Sequence, residues 1–314
     1  MSDMSKVPPG VPLSAESPLV GVAWLSEQFA HLPSEPGAAA SLRVVDLRWN
    51  AKGPSGEDRY RQGHIPGAAF VDLDKDLARP GGPGRHPFPT VEQFASVLGR
   101  IGVGAGTHVV VYDDGPGAIA ARLWFMLRVH GHLRASVLEG GLAAWRAAGL
   151  PMAAGESEVA PTTPPLLSLD ASRLVDQVEL RTLLREQGKN ATGALVLDAR
   201  ARERYRGEVE PIDAKPGHIP GVVNAPFAEN LRGPDDLRFK PAPELRRLYE
   251  SLGADRASQV VVTCGSGVTA CHDALAIELA GLAPARLYVG SFSDWIATPG
   301  APIALGTAPG SLEG

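Results

Sequence analysis

Polarity along the chain changes most abruptly within residues 259–281, where the β-branched run Val260, Val261 and Val262 stops at Cys264 and a glycine-flanked loop leads into a periodic segment. An uninterrupted apolar run of this length suits a strand covered on both faces of a parallel sheet. After Thr269, the apolar positions Ala270, Ala274, Ile277 and the pair Leu275 and Leu279 recur at three- and four-residue intervals. That spacing predicts an amphipathic helix, with Gly281 placed to stop it.

The same order of patterns occurs twice. RVVDLRWN, RYRQGHIPGAAFVDL, VGAGTHVVVYDDGPGAIAARLWFMLRVHGH and VLEGGLAAWRAAGLP are followed by LVLDARARERYRG, KPGHIPGVVNAPF, ASQVVVTCGSGVTACHDALAIELAGL and LYVGSFSDWIATPGAP. Asp46 aligns with Asp198, His64 with His218, and Asp113 with Cys264. A period of roughly 150 residues is far beyond that of a solenoid, so the repeat predicts two globular copies. We place them at residues 18–152 and 169–306, joined by a linker at 153–168, with an N-terminal extension at 1–17 and a tail at 307–314. The stretch PMAAGESEVAPTTPPL contains four prolines, which predicts an extended connection that wraps one copy onto the other. In each copy short β-branched runs alternate with helical patterns. The fold class is therefore α/β, each domain a parallel sheet flanked by helices, with sites at the carboxyl ends of strands.

Composition narrows the function classes. At 314 residues and 44% hydrophobic, the chain can build two ordinary cores. A net charge of −5 with mixed signs offers no basic stripe for nucleic acid, and no apolar run approaches a membrane span. The first twenty residues lack the features of a secretory signal, which makes a reducing cytoplasm the expected setting for a free thiol. Two cysteines cannot form a disulfide framework, and without a paired CxxC motif no zinc site is expected, although His272 follows Cys271. Cys271 is expected to serve packing and to point away from Cys264.

Cys264 stands where a strand hands over to a helix, facing unpaired N–H groups and the positive end of the helix dipole. Such surroundings favour thiolate, the nucleophilic form. Gly265 and Gly267 let the backbone curl so that amides converge on one anionic atom, while Ser266 and Thr269 add hydroxyls without charge. Asp113 at the matching position cannot perform sulfur chemistry, so the first copy is expected to shape the site across the interface. A phosphatase loop would close on an arginine six residues after its cysteine, and that position is Ala270. Arg200, Arg202, Arg204 and Arg206 alternate; as a strand they would share one face. Pairing of Arg200 with Asp198 or a nearby acid is the structural expectation.

HIPG in both halves, EGGLAAW, GSFSDW and above all CGSGVTA resemble the motifs of tandem-domain rhodanese sulfurtransferases over nearly the whole chain. The neutral Gly265 and Ser266 resemble the branch that uses 3-mercaptopyruvate; basic residues often follow the cysteine in thiosulfate-using members. The resemblance implies that Cys264 accepts a sulfur atom, becomes a persulfide and passes that sulfur to a thiol, cyanide or a thioredoxin-like acceptor, without metal or organic cofactor. It implies donor binding by Arg204 together with Gly265, Gly267, Val268 and Thr269. It also implies that Asp74 and His86 approach Ser266 as a proton relay. Some members carry a second arginine beyond the RYRG segment; here Ile212 and Asp213 stand there, leaving Lys215 or a first-domain residue to substitute. Thiosulfate as donor, or a persulfide carrier that does not turn over, are the alternatives. His64 and His218 recur whether or not the loop holds a cysteine, which marks them as turn-stabilising residues.

Overall fold

The computed structural model describes residues 17–30, 41–187 and 193–312. Of the expected N-terminal extension only Ser17 is among them, and the last two residues of the expected tail lie outside them.

The first half contains β1 (Leu19–Val20), α1 (Val22–Ala30), β2 (Leu42–Asp46), α2 (Gly56–Gln62), β3 (Ala69–Phe70), α3 (Leu73–Asp76), α4 (Val91–Arg100), β4 (His108–Tyr112), α5 (Ala120–Val129), β5 (Ala135–Leu138) and α6 (Gly141–Ala147). The second contains β6 (Leu174–Val175), α7 (Gln177–Glu186), β7 (Leu195–Asp198), α8 (Arg202–Arg206), β8 (Val223–Asn224), β9 (Leu231–Gly233), β10 (Asp236–Phe239), α9 (Ala242–Ser251), β11 (Val260–Thr263), α10 (Ala270–Leu279), β12 (Arg286–Tyr288) and α11 (Ser291–Ala297). Two five-stranded sheets result, ordered β1-β5-β4-β2-β3 and β6-β12-β11-β7-β8. Every pairing within them is parallel, so the α/β expectation holds and the sheets share one design.

Register carries the duplication down to single side chains. β2 and β4 pair Asp46 with Tyr112, and β7 and β11 pair Asp198 with Thr263. Each aspartate holds a buried arginine two residues on, Arg48 and Arg200, at 2.8 Å. Each guanidinium also donates to a carbonyl before the HIPG turn, Gly63 or Gly217, again at 2.8 Å. Buried ions are tolerated here because their hydrogen-bonding capacity is largely used. His64 and His218 bond the carbonyls of Tyr60 and Tyr205 through Nδ1, while their backbones bridge to Ala153 and Ala304. They fix turns, in line with the repeat.

The segment between the halves runs along the first domain. Gly155, Thr162 and Ser168 donate backbone N–H groups to the carbonyls of Arg61, Gly99 and His130.

The helix predicted after Thr269 is α10, followed by Gly281 at φ +68°. In one respect it departs from expectation: Ala270 through Ile277 are all buried, so no polar face remains. The cause is α5, itself buried from Ala120 to Leu127, which packs against α10 across the interface. One apolar core, from Phe94 and Trp124 to Leu275 and Ile277, therefore runs through both halves. Charged and polar groups cross this seam reciprocally. Arg122 on α5 donates to the carbonyl of Gly267 at 2.9 Å, and His272 on α10 lies 3.0 Å from the carbonyl of Pro116.

Candidate active site

Cys264 follows β11, and its loop is fixed from behind by the turn entering α11. Cys264 N–H donates to Ser291 Oγ at 3.1 Å, while Phe292 and Ser293 donate to the carbonyls of Cys264 and Gly265. Gly267 adopts φ +74°, and a Cβ there would lie 2.5 Å from the carbonyl oxygen of Val289. Only glycine fits that backbone. Gly265 serves a different need: its missing Cβ admits the Arg85 guanidinium, whose Nη2 would stand 2.9 Å from such an atom.

The two loops that enter α5 and α10 show what this curl does. In the first, the Asp113 carboxylate accepts N–H bonds from Gly115, Gly117, Ile119 and Ala120 at 2.9–3.2 Å. In the second, the N–H groups from Gly265 to Ala270 meet no acceptor among the described residues. Converging amides of this kind stabilise an anion. Cys264 is only 2% exposed, and it borders a cavity of about 450 Å³ also lined by Ser266, Val268, Thr269, Trp49 and Ile119.

Asp74 and His86 come from the first half. His86 Nδ1 lies 2.8 Å from Ser266 Oγ, and Nε2 lies 2.8 Å from Asp74 Oδ1. Trp49 Nε1 donates to the other carboxylate oxygen at 2.8 Å. A carboxylate only accepts, so Nε2 carries the proton toward Asp74, and in the neutral ring Nδ1 accepts from the Ser266 hydroxyl. His86 is buried rather than an exposed loop residue, and this burial, reinforced by the Arg122 charge, pushes its pKa below the ordinary histidine value. The neutral ring is thus the resting form at pH 7. Its segment is pinned by Arg85 N–H donating to Ser293 Oγ and by Arg122 donating to the His86 carbonyl at 2.6 Å.

The arginine run is not a strand. Arg202–Arg206 is a helical turn, so Arg200 is buried on Asp198, Arg202 pairs with Glu229 outside, and Arg204 alone of the four borders the cavity. Arg204 Nη2 donates to Glu210 at 2.8 Å and to Asp213 at 2.9 Å. Burial would raise the Glu210 pKa, but bonds from Arg204 and the amides of Asp213 and Ile212 outweigh it and hold the carboxyl low. Burial dominates at Asp213 and pushes its pKa up despite the flanking guanidinium of Arg85. Lys215 is exposed and does not line the cavity; the first-half Arg85, ion-paired to Asp213, supplies the second cation. Nothing local in the sequence marks Arg85, Arg122 or Trp49 as site residues. Cys271 is fully buried with its thiol 3.3 Å from the Gly267 carbonyl, and burial pushes its pKa up to about 12. It is a packing residue, as expected.

Among the described residues no helix is long and apolar enough to cross a membrane. Residues 27–148 and 177–298 each match the rhodanese-like domain family. A protein of Pseudomonas aeruginosa named as a probable 3-mercaptopyruvate sulfurtransferase is 44% identical over 290 residues, spanning 90% of this chain and 97% of that one. The thiosulfate sulfurtransferase of Rattus norvegicus is 34% identical over 283 residues, spanning 88% and 91%. The crystal structure of SseA from Escherichia coli, described among 3-mercaptopyruvate sulfotransferases, superposes with a TM-score of 0.74 at 30% identity, over 88% of this chain and 100% of that one. With both halves matched, both sheets repeated and relatives of this likeness along nearly its full length, the chain belongs to the rhodanese family and is a tandem-domain sulfurtransferase.

Proposed function

We propose that the protein moves a sulfur atom from 3-mercaptopyruvate, through a persulfide on Cys264, to a thiol, cyanide or thioredoxin-like acceptor. The observation that carries this reading is one cavity in which Cys264 meets free loop amides, the Ser266–His86–Asp74 chain and the guanidinium of Arg204. Arg204 and Arg85 bind the donor carboxylate. The Cys264 thiolate attacks the donor sulfur, a sulfur–sulfur bond forms and the carbon–sulfur bond breaks. The electron pair of that broken bond leaves with the carbon as an enolate. The proton on the donor thiol passes through Ser266 to the neutral His86, Asp74 stabilises the resulting imidazolium, and the proton returns to the enolate to give pyruvate. The terminal sulfur of the persulfide keeps its negative charge against the amides from Gly265 to Ala270. An acceptor thiolate then takes that sulfur and Cys264 leaves as thiolate. A reducing compartment such as the cytoplasm suits a nucleophile of this kind.

The test is pyruvate release from 3-mercaptopyruvate with dithiothreitol as acceptor. Many turnovers are expected, with one added sulfur on Cys264 by mass spectrometry when the acceptor is withheld. Cys264→Ser should lose both signals and keep its circular dichroism. A single stoichiometric loading would make the protein a carrier, a higher kcat/KM for thiosulfate would reassign the donor, and absence of added sulfur on Cys264 overturns the reading.

A further inference from the structure

Three charged groups converge on the face of Gly265. A Cβ at that glycine would meet Arg85 Nη2 at 2.9 Å, Asp213 Oδ2 at 3.4 Å and Arg204 Nη2 at 3.5 Å. Asp213 is held by both guanidiniums, its side chain only 1% exposed. We infer that Asp213 sets the charge of the donor: seated between Arg85 and Arg204 beside the nucleophile, it makes the site favour a donor with one fixed negative charge over a donor with two.

The argument rests on the sulfur-transfer reading above and on local charge. Arg204 already serves Glu210, whose side chain is 4% exposed. Arg85 and Arg204 therefore face two carboxylates before any donor arrives, while Arg200, which also reaches Glu210 at 3.5 Å, is balanced by Asp198 at 2.8 Å. A monoanionic donor can take remaining N–H donors at little electrostatic cost, its carboxylate bound and its thiol turned toward Cys264. Thiosulfate carries two charges on a compact body, and the second must lie near Asp213, whose side chain is 1% exposed and so poorly screened, where repulsion between like charges is strong. The specificity thus comes from a repulsive element as much as from the arginines. Neutral Gly265 and Ser266 after the cysteine supply no compensating cation.

The experiment compares kcat/KM for thiosulfate and 3-mercaptopyruvate in the parent and in Asp213→Asn, which keeps size and an acceptor for Arg204. The thiosulfate to 3-mercaptopyruvate ratio should rise at least tenfold; an unchanged or lower ratio overturns the proposal. A second measurement does not depend on turnover. Alkylation of Cys264 by iodoacetamide in the parent should be blocked by pyruvate at concentrations well below those needed of sulfate, and Asp213→Asn should improve sulfate protection about tenfold. Sulfate protecting the parent as well as pyruvate does would overturn the inference even if the variant fails to fold. Failure of the parent to turn over either donor, with the protection pattern intact, would instead count against the sulfur-transfer reading alone.

Discussion

The guanidinium of Arg122, fully buried on a helix of the first half, donates to the carbonyl of Gly267 in the loop that carries Cys264, at 2.9 Å. Its other bonds go to the carbonyls of His86 and Leu77, its plane lies over Phe88, and no carboxylate pairs with it among the described residues. Burial lowers its pKa to about 10, which still leaves it cationic at neutral pH, beside the two thiols. Arg122→Met removes the cation beside both thiols and should slow alkylation of Cys264 at pH 7 by roughly tenfold. Arg122→Lys, which keeps the charge but cannot reach three carbonyls, should restore most of the alkylation rate and not the thermal stability. An alkylation profile indifferent to both substitutions would make Arg122 a purely structural residue.

His86 must be neutral to receive a proton, so activity is expected to fall as pH drops through its folded pKa. Burial and Arg122 place that pKa below the usual 6.5, while Asp74 raises it. The acid limb of kcat/KM should accordingly lie below the ordinary histidine range. Asp74→Asn removes the raising contribution and frees the wrong tautomer, moving the limb to lower pH and reducing kcat by about 10²-fold. A limb that stays in place would show that another group controls it.

Gly267 and Gly265 should respond differently to alanine. At Gly267 a left-handed φ combines with a 2.5 Å encounter with backbone oxygen, so Gly267→Ala should cost on the order of 2–4 kcal/mol and lower the thermal midpoint by several degrees. At Gly265 the encounter is with the end of a flexible arginine. Gly265→Ala should keep the midpoint and raise KM for 3-mercaptopyruvate.

Arg204 holds Glu210 through both Nε and Nη2, a two-pronged geometry that lysine cannot copy. Arg204→Ala should raise KM roughly 10- to 100-fold, the range expected for loss of a charge-assisted hydrogen bond. Arg204→Lys should recover little of it. Steady-state kinetics that leave KM unchanged would assign the donor carboxylate to Arg85 alone.

What the sequence disclosed was local or repeated. The strand before Cys264, the helix after it and Gly281 as its stop follow from side-chain period, and Asp113 opposite Cys264 follows from the duplication. Residues whose partners are remote left no such trace: 128 positions separate Arg85 from Asp213, 145 separate Arg122 from Gly267, and 180 separate His86 from Ser266. His86 and Ser266 were connected through motif resemblance, whereas Arg122 lies inside an apolar helix and resembles nothing. The alternating arginines misled because Arg202–Arg206 coils into a helical turn. Asp213 looked like a missing clamp; its meaning is visible only once Arg85 arrives from the other half.

A loop that gathers several amide dipoles on one point cannot simply stand idle. Where chemistry keeps no sulfur there, the chain must provide a resident of the same sign, and Asp113 is such a tenant, tethered for good. Leaving the sulfur out of such a loop is therefore a substitution problem with few solutions, and a bare apolar side chain at that spot would unsettle the half of the protein that carries no nucleophile.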